Sequence, residues 1–204
     1  MTNANLRWGD EAPADPSRAR DRLLDAAESC FHRFGIAKTT VEDVAKEANV
    51  SRATVYRYFE GRDAIVSGVI LRETERYLNR VRPRVESHAD LGDALLEFVE
   101  VTLRAARRDE TVGLLFTTDE GLDASGILRE ASVALFEMVE RFLDPIFAER
   151  ADQLRPGLDA GDASEWVLRA ILGFLTVSGP TRRTQAGLDT FLRKLLLPGL
   201  VRTH

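Results

Sequence analysis

Apolar residues recur at three- and four-residue spacing along almost the whole chain, and no stretch alternates apolar and polar residues between hairpin turns. This pattern predicts an all-α fold. The fourth helix should end near Val81, because the residue before a proline, here Pro83, is disfavoured in the helical region. Pro145 should kink or end the seventh helix. The expected helices cover about 15–34, 40–48, 51–58, 62–81, 90–108, 110–120, 126–150, 162–178 and 185–197.

Local signals define the ends of the first three helices. Gly35 should end the first helix, and Thr40 should cap the second, with Asp43 completing a short capping box. Asn49 can take the left-handed conformation that a helix C-terminus needs, and Ser51 can cap the next helix directly. The sequence therefore predicts two short helices joined by a tight turn.

The third helix presents a distinctive outer face. At 100° per residue, Arg52, Ala53, Tyr56 and Arg57 fall within an arc of roughly 140° opposite Val55. Arginine can bond guanine edges bidentately, a small alanine can approach a thymine methyl, and a tyrosine hydroxyl can reach a phosphate oxygen. This face is therefore suited to a DNA major groove.

The two N-caps add a second kind of contact. Thr40 and Ser51 each combine a hydroxyl with unpaired backbone N–H groups, an arrangement that favours a phosphate, although capping alone also explains both residues. For Tyr56 and Tyr58 the alternative to DNA contact is core packing, and Tyr58 lies nearer the Val55 side.

The charge distribution agrees with a local DNA-binding surface. The chain carries a net charge of −5, which argues against a protein that is basic throughout. Between Pro16 and Arg62, however, nine cationic side chains outnumber seven anionic ones, so this segment carries +2. A small module that can approach a polyanion thus precedes a more acidic body.

Residues 18–64 resemble the DNA-binding domain of the TetR (tetracycline-repressor) family of transcriptional regulators. The matching motifs run from Phe31 to Gly35, from Thr39 to Ala45 and from Val50 to Phe59, and the whole resembling segment covers about a quarter of the chain. The family commonly has Gly at the position of Asn49 and Lys at the position of Arg62. Asn49 can still adopt the left-handed backbone conformation, and Arg62 still supplies a cation that can bind a phosphate.

The resemblance implies a flexible tail at 1–15, a helix-turn-helix DNA-binding domain at 16–61 and a helical ligand-binding and dimerisation domain at 62–204. It also implies a homodimer that binds a palindromic double-stranded operator and is released, as a repressor, by a small-molecule effector. Together, the residues and the resemblance give the following expected DNA contacts: Thr40, Ser51, Arg52, Ala53, Thr54, Tyr56, Arg57, Tyr58 and Arg62.

The C-terminal body should enclose an apolar pocket between its helices. Few polar residues interrupt the candidate faces, so the expected effector is largely apolar. Ordinary core packing is the alternative role for each candidate, and the segment that begins at Trp166 reads as buried on more than one side. The last two long helices have more apolar surface than a one-sided helix requires, which is consistent with dimerisation. The candidate lining residues are Phe98, Thr102, Phe116, Phe136, Val139, Trp166, Ile171 and Phe174.

Other functional classes find little support. The three histidines form no metal-binding pattern, Ser125 lacks the glycine two residues earlier that a nucleophile elbow requires, and Cys30 reads as a core residue. We therefore predict no metal, cofactor or catalytic residue, with an enzyme and a helical module that binds only protein as alternatives. No segment resembles a membrane span or a signal peptide, so a cytoplasmic protein is expected.

Overall fold

The computed structural model describes residues 15–106, 124–177, 179–181 and 183–202. Within these ranges the chain is all-α as predicted, and its only β pairing is an isolated bridge between Leu154 and Val201. A single 3₁₀ turn, Leu197–Gly199, follows the last α-helix. The described helices are α1 Pro16–Phe34, α2 Val41–Glu47, α3 Arg52–Tyr58, α4 Arg62–Glu86, α5 Leu91–Ala106, α6 Ala124–Glu149, α7 Ala160–Thr176 and α8 Gln185–Leu195.

The described residues divide into two compact units. The first contains 15–72 together with 124–131, and the second contains 73–106 and the described residues from 132 onward. Both α4 and α6 contribute residues to each unit. The boundary between the two units therefore falls within α4, after Arg72.

The first helix begins and ends as the sequence predicts. The Asp15 carboxylate accepts the backbone N–H of Ser17 at 3.0 Å, and the chain leaves α1 at Gly35 with a φ of 80°. Leu23 and Cys30 are buried along the inner stripe of α1. Phe34, in the last turn of α1, is not part of this buried stripe, and 44% of its surface is exposed.

The turn between α2 and α3 also follows the prediction. The Thr40 hydroxyl accepts the N–H of Asp43 at 3.2 Å, and the Asp43 carboxylate accepts the N–H of Thr40 at 2.9 Å, which completes the capping box. Asn49 has a φ of 55°, and the N–H of Val50 donates to the carbonyl of Ala45 at 2.9 Å. This 6→1 bond is the mark of a Schellman ending, which directs the chain straight into α3.

The predicted end of α4 is wrong, since the helix continues through Pro83 to Glu86. Proline removes one backbone donor from the helix interior. Val85, which the extra turn carries, is fully buried in the core of the second unit. The guanidinium of Arg150 also donates to the carbonyls of Glu86 at 3.1 Å and His88 at 2.6 Å, and so satisfies the acceptors that the helix end leaves open.

Two further boundaries differ from the sequence prediction. The helix α7 begins two residues early, because Asp159 and not Asp162 is its N-cap and accepts the N–H of Gly161 at 2.8 Å. The helix α6 begins at Ala124, two residues before its predicted start, and continues through Pro145 to Glu149, close to the predicted end at 150. The predicted helix at 110–120 lies outside the described residues.

The second unit is built around an apolar core. Phe98 of α5 and Phe142 of α6 are both about 1% exposed, and their ring centroids lie 4.8 Å apart in a stacked arrangement. Val167 and Ile171 of α7 and Leu192 of α8 belong to the same buried cluster. Burial of large side chains from four helices is the main stabilising contribution to this unit.

Candidate nucleic-acid interface

The outer face of α3 lies where the helical spacing places it. Arg52, Ala53, Tyr56 and Arg57 are exposed, whereas Val55 on the opposite side is fully buried. Tyr56 keeps 47% of its surface exposed, although it is a large aromatic residue. Core packing therefore does not account for this tyrosine, and the helix offers four side chains to an external partner.

Thr54 requires a correction. Its residue surface is only 2% exposed, and its backbone N–H donates to the Ser51 hydroxyl at 3.2 Å. The two hydroxyls of Ser51 and Thr54 are also 3.0 Å apart. Thr54 faces the interior because it lies on the Val55 side of the helix, so its side chain is not on the exposed face of α3.

Arg52 pairs with a neighbouring helix. Its Nη1 donates to Oε1 of Glu42 at 2.9 Å, and its guanidinium carbon lies 5.9 Å from the centroid of the Tyr56 ring. The hydrogen bond to Tyr56, followed by the charge of Glu42, raises the pKa of Arg52. This exposed arginine is thus held by two partners on the surface of the protein.

Tyr58 is half-buried at the end of α3. Nη2 of Arg57 donates to its hydroxyl at 3.3 Å, and the Arg57 guanidinium carbon lies 5.0 Å from its ring centroid. The hydroxyl therefore lies beside a cation, a suitable setting for a phosphate oxygen. Both roles weighed for this tyrosine, packing and contact, are compatible with the geometry.

The two cap hydroxyls differ in their surroundings. The Thr40 hydroxyl donates to the Asp43 carboxylate at 2.6 Å, and these hydrogen bonds to Thr40 lower the pKa of Asp43. An anionic carboxylate thus lies at the start of α2. Ser51 has no carboxylate among its described contacts, and of the two caps it is the better placed to accept a phosphate.

Arg62 is anchored within the chain. Its Nε donates to the carbonyl of Thr39 at 2.9 Å, and its Nη2 donates to the carbonyl of Ile36 at 2.7 Å. Nη1 lies 3.5 Å from the Asp63 carboxylate, and 27% of the side chain is exposed. The guanidinium therefore holds the turn that precedes α2, a role that the sequence reasoning missed, and its phosphate contact stays a prediction.

Two more arginines in the first unit bond to helix ends. Nη1 of Arg20 donates to the carbonyl of Tyr58 at 3.1 Å, and Nη2 of Arg22 donates to the carbonyl of Ala48 at 3.3 Å. These carbonyls are at the C-terminal ends of α3 and α2, where acceptors lack intrahelical donors. In the sequence, these arginines are visible only as two cations spaced two residues apart on α1. The carbonyls to which they donate are known only from the fold.

The predicted pocket residues fall into different environments. Phe98, Val139 and Ile171 are at most 4% exposed and pack within the core. The Thr102 hydroxyl donates to the Phe98 carbonyl at 2.6 Å and accepts from the Tyr77 hydroxyl at 2.8 Å. Burial raises the pKa of Tyr77 to about 12, so this phenol stays protonated at neutral pH.

Three of the remaining candidates lie closer to the surface. Phe136 and Phe174 are half-buried, and Phe116 lies outside the described residues. Trp166 contradicts the expectation of burial, because half of its surface is exposed. The buried stripe of α7 is formed by Ala163, Val167, Leu168 and Ile171, and Trp166 lies off that stripe.

Two cavities of the second unit are lined by described residues. One, of about 180 Å³, lies between α5 and the start of α8, and the other, of about 110 Å³, lies between α4 and α6. Both include arginine and glutamate side chains, and none of the predicted lining residues that the structure describes belongs to either. The first is lined by Glu100, Leu103, Arg104, Arg183, Thr184, Gln185 and Leu188, and the second by Glu75, Leu78, Asn79, Arg82, Met138, Arg141 and Phe142.

The described residues contain neither a membrane-crossing helix nor a cluster of metal-ligating side chains. None of the helices there has the length and apolar character that a membrane crossing needs. In the same part of the chain, no group of three or more His, Cys, Asp or Glu side chains could hold a metal ion.

Comparison with known proteins agrees with this geometry. Residues 23–69 match the family model described as bacterial regulatory proteins of the tetR family. A helix-turn-helix transcriptional regulator of Mycobacterium tuberculosis strain H37Rv is 28% identical over 186 residues, which cover 88% of this chain and 84% of the relative. UidR of Escherichia coli K12 is 23% identical over 168 residues, 81% of this chain and 84% of that protein.

Solved structures share the fold over almost the full chain. The TetR-family repressor AlkX from Dietzia sp. superimposes with a TM-score of 0.65 at 22% identity, covering 92% of this chain and 98% of its own. FadR from Bacillus subtilis, solved with stearoyl-CoA, gives a TM-score of 0.56 at 18% identity, with coverages of 88% and 98%. The matched head, the relatives that align over most of the chain and the exposed face of α3 lead to one conclusion: residues 23–69 form a DNA-binding domain of the tetR family of bacterial regulatory proteins.

Proposed function

We propose that the protein is a cytoplasmic, homodimeric repressor that binds a pseudo-palindromic operator through residues 16–61 and is released by a small molecule bound within residues 62–204. The observation that carries the proposal is the exposed face of α3, where Arg52, Ala53, Tyr56 and Arg57 point away from a fully buried Val55. In a symmetric dimer, two such helices enter successive major grooves, and the operator mirrors the two-fold axis of the protein.

Selection from random double-stranded oligonucleotides tests operator binding. The expected result is an enriched inverted repeat whose half-sites lie about one helical turn apart, protected from cleavage when the protein is added. The upstream region of the protein's own gene is a suitable second probe. If selection enriches no sequence at all, the alternative of a helical module that binds only protein is favoured.

Dimerisation is proposed to occur through α7 and α8. Trp166 on α7 is 50% exposed and Leu195 on α8 is 64% exposed, an unusual amount for large apolar residues on the last two long helices. Sedimentation velocity should give a dimer, and Trp166→Glu should shift it to a monomer that binds a half-site only. An unchanged dimer in this variant would place the interface elsewhere.

Release by an effector requires coupling between the two units. B. subtilis FadR was solved with stearoyl-CoA and SmeT with triclosan, so structures of this fold are known with small molecules bound. We propose that α4, which contributes to both units, is the element whose position the effector changes. The effector here is proposed to be largely apolar, and a thermal-shift screen of fatty acids, acyl-CoA esters and hydrophobic drugs would identify it.

Thermodynamic reciprocity gives a quantitative test of this coupling. A ligand can shift an equilibrium only through its different affinities for the two states. A coupling of about 1–3 kcal/mol corresponds to a roughly 5- to 150-fold loss of operator affinity, and the operator must weaken the ligand by the same factor. Calorimetry with and without saturating operator measures this factor. Equal affinities would show that the screened ligand does not control DNA binding.

A further inference from the structure

A glycine of α4, Gly68, lies close to the residue that follows α3. A Cβ atom at Gly68 would lie 3.0 Å from Cδ2 of Leu24 on α1 and 3.1 Å from Cε1 of Phe59, the residue directly after α3. Both separations are shorter than ordinary van der Waals contact. Gly68 therefore allows α1, α4 and the end of α3 to meet at one point.

Arg20 closes this junction from the other side. Its guanidinium carbon lies 4.3 Å from the centroid of the Phe59 ring, within cation–π distance. Nη1 of the same group donates to the Tyr58 carbonyl at 3.1 Å, and Nη2 is 3.4 Å from the Cβ position of Gly68. One side chain thus contacts the last carbonyl of α3 and the ring that follows it, and it lies beside the space that a side chain at Gly68 would occupy.

We propose that Arg20 is a positioning residue for DNA recognition, and that Arg20, Phe59 and Gly68 form a joint that fixes the direction of α3 against α1 and α4. We call these three residues the α3 joint. This inference rests on the proposed operator binding and adds to it the contacts through which a movement of α4 would reach the recognition helix.

The length of α3 explains why such a joint matters. The helix has seven residues, or about 10 Å at 1.5 Å per residue, and its inward side has only Thr54 and Val55 buried. Phe59 is 3% exposed and is the large apolar anchor at its C-terminal end. Bidentate base contacts depend on orientation, whereas phosphate attraction tolerates small displacements. A loosened joint should therefore reduce sequence discrimination more than general affinity for DNA.

The alternative role for Arg20 is a direct phosphate contact, since part of its surface is exposed. The two roles differ in one respect. A phosphate contact requires the charge and adds about one ion to the salt dependence of binding, whereas the joint also requires the open space at Gly68, which carries no charge.

The experiment uses the full-length dimer and two duplexes, the sequence selected by the wild-type protein and a scrambled version of it. The variants are Gly68→Ala and Arg20→Met, with Arg20→Lys to retain the charge. Gly61→Ala is the matched control, because a Cβ there meets nothing within 4 Å. Affinity for each duplex is measured across a salt series at a temperature where all variants are folded by circular dichroism.

The α3 joint predicts that Gly68→Ala and Arg20→Met each lower the ratio of selected to scrambled affinity about 10-fold or more. Gly61→Ala should keep the wild-type ratio, and the salt dependence of Gly68→Ala should equal that of the wild type. Arg20→Lys should recover only part of the ratio, because an ammonium lacks the planar group that both stacks on Phe59 and donates to Tyr58.

Three results would overturn the α3 joint. The first is a ratio of selected to scrambled affinity in Gly68→Ala and Arg20→Met that equals that of the wild type. If the wild-type protein still selects a sequence, this result leaves the proposed operator binding intact. The second is an equal loss on both duplexes in step with lost thermal stability, which marks a purely structural role. The third is a wild-type affinity ratio in Arg20→Lys, together with a salt dependence that falls by about one ion in Arg20→Met and in no other variant. That result would indicate a phosphate contact. Failure of the wild-type protein to select any sequence would instead remove the proposed operator binding, and the joint with it.

Discussion

Arg52 on α3 forms an ion pair with Glu42 on α2, with 2.9 Å between Nη1 and Oε1. The two side chains are 54% and 68% exposed, so the pair adds little to stability. The ion pair matters because the proposed DNA contact would have to break it. The proposed base contact requires the Arg52 guanidinium to exchange this carboxylate for a guanine edge, and the Glu42 carboxylate would then be left near the phosphates.

Replacing Glu42 with Gln should therefore strengthen DNA binding. The change removes a competing acceptor and a negative charge, and we expect a roughly 2- to 5-fold gain in operator affinity, which corresponds to about 0.5–1 kcal/mol. Glu47→Gln is the control, because it removes the same charge from α2 at a residue that pairs with Arg33. Fluorescence anisotropy at low salt measures both. A gain of the same size in Glu47→Gln would attribute the effect to net charge alone.

Arg52→Ala should lose sequence discrimination. The expected cost is about 1–3 kcal/mol at the selected operator, with base preference relaxed at one position in each half-site. Arg52→Lys keeps the charge and loses the planar fork, so it should restore affinity for scrambled DNA but not the base preference. Parallel selections with the three proteins show which bases are affected. An unchanged preference in Arg52→Ala would move the reading role to Arg57 or Tyr56.

The sequence was sufficient for those parts of the site that depend on local chemistry. The capping box of Thr40 and Asp43, the left-handed Asn49 and the exposed face of α3 each follow from residues within one or two turns of each other, and the structure confirms them. Thr54 was misplaced because the family motif marks it without saying which way it faces. Its burial follows from its position beside Val55.

The long-range contacts could not be read from the pattern. Arg62 reaches carbonyls 23 and 26 residues away, and Arg150 reaches 62 and 64 residues back to the end of α4. A surface arginine and an arginine that caps a distant helix have the same local sequence signal. The same limit explains the α4 boundary, since Pro83 indicates a helix end unless a tertiary partner satisfies the carbonyls beyond it.

Arg150→Met should destabilise the second unit. Arg150 is 7% exposed, and its guanidinium donates to carbonyls of Glu86 and His88 that would lose their partner. Loss of buried hydrogen bonds of this kind costs about 2–4 kcal/mol. Arg141→Met is the control, because its side chain is 65% exposed in a weak ion pair. Urea unfolding followed by circular dichroism compares the two variants. Equal midpoints would show that the cap is not needed for the last turns of α4.

Arg62→Ala distinguishes the two roles of the residue that starts α4. The guanidinium donates to the Thr39 carbonyl at 2.9 Å and to the Ile36 carbonyl at 2.7 Å, so its removal should destabilise the turn before α2 by about 1.5–3 kcal/mol. The salt dependence of DNA binding should then stay at the wild-type value. A phosphate contact predicts the opposite result, in which stability is unchanged, all sequences bind more weakly and the salt dependence falls by about one ion.

Arg62→Lys completes the test of these two roles. An ammonium can meet a phosphate but cannot span two carbonyls in the geometry of the fork, so it should restore DNA binding only if the phosphate role is correct. Thermal unfolding of the three proteins, together with affinities for a scrambled duplex at four salt concentrations, gives both quantities. Because the guanidinium is held by two backbone acceptors and is only 27% exposed, we expect the loss in stability, with Lys recovering little of it.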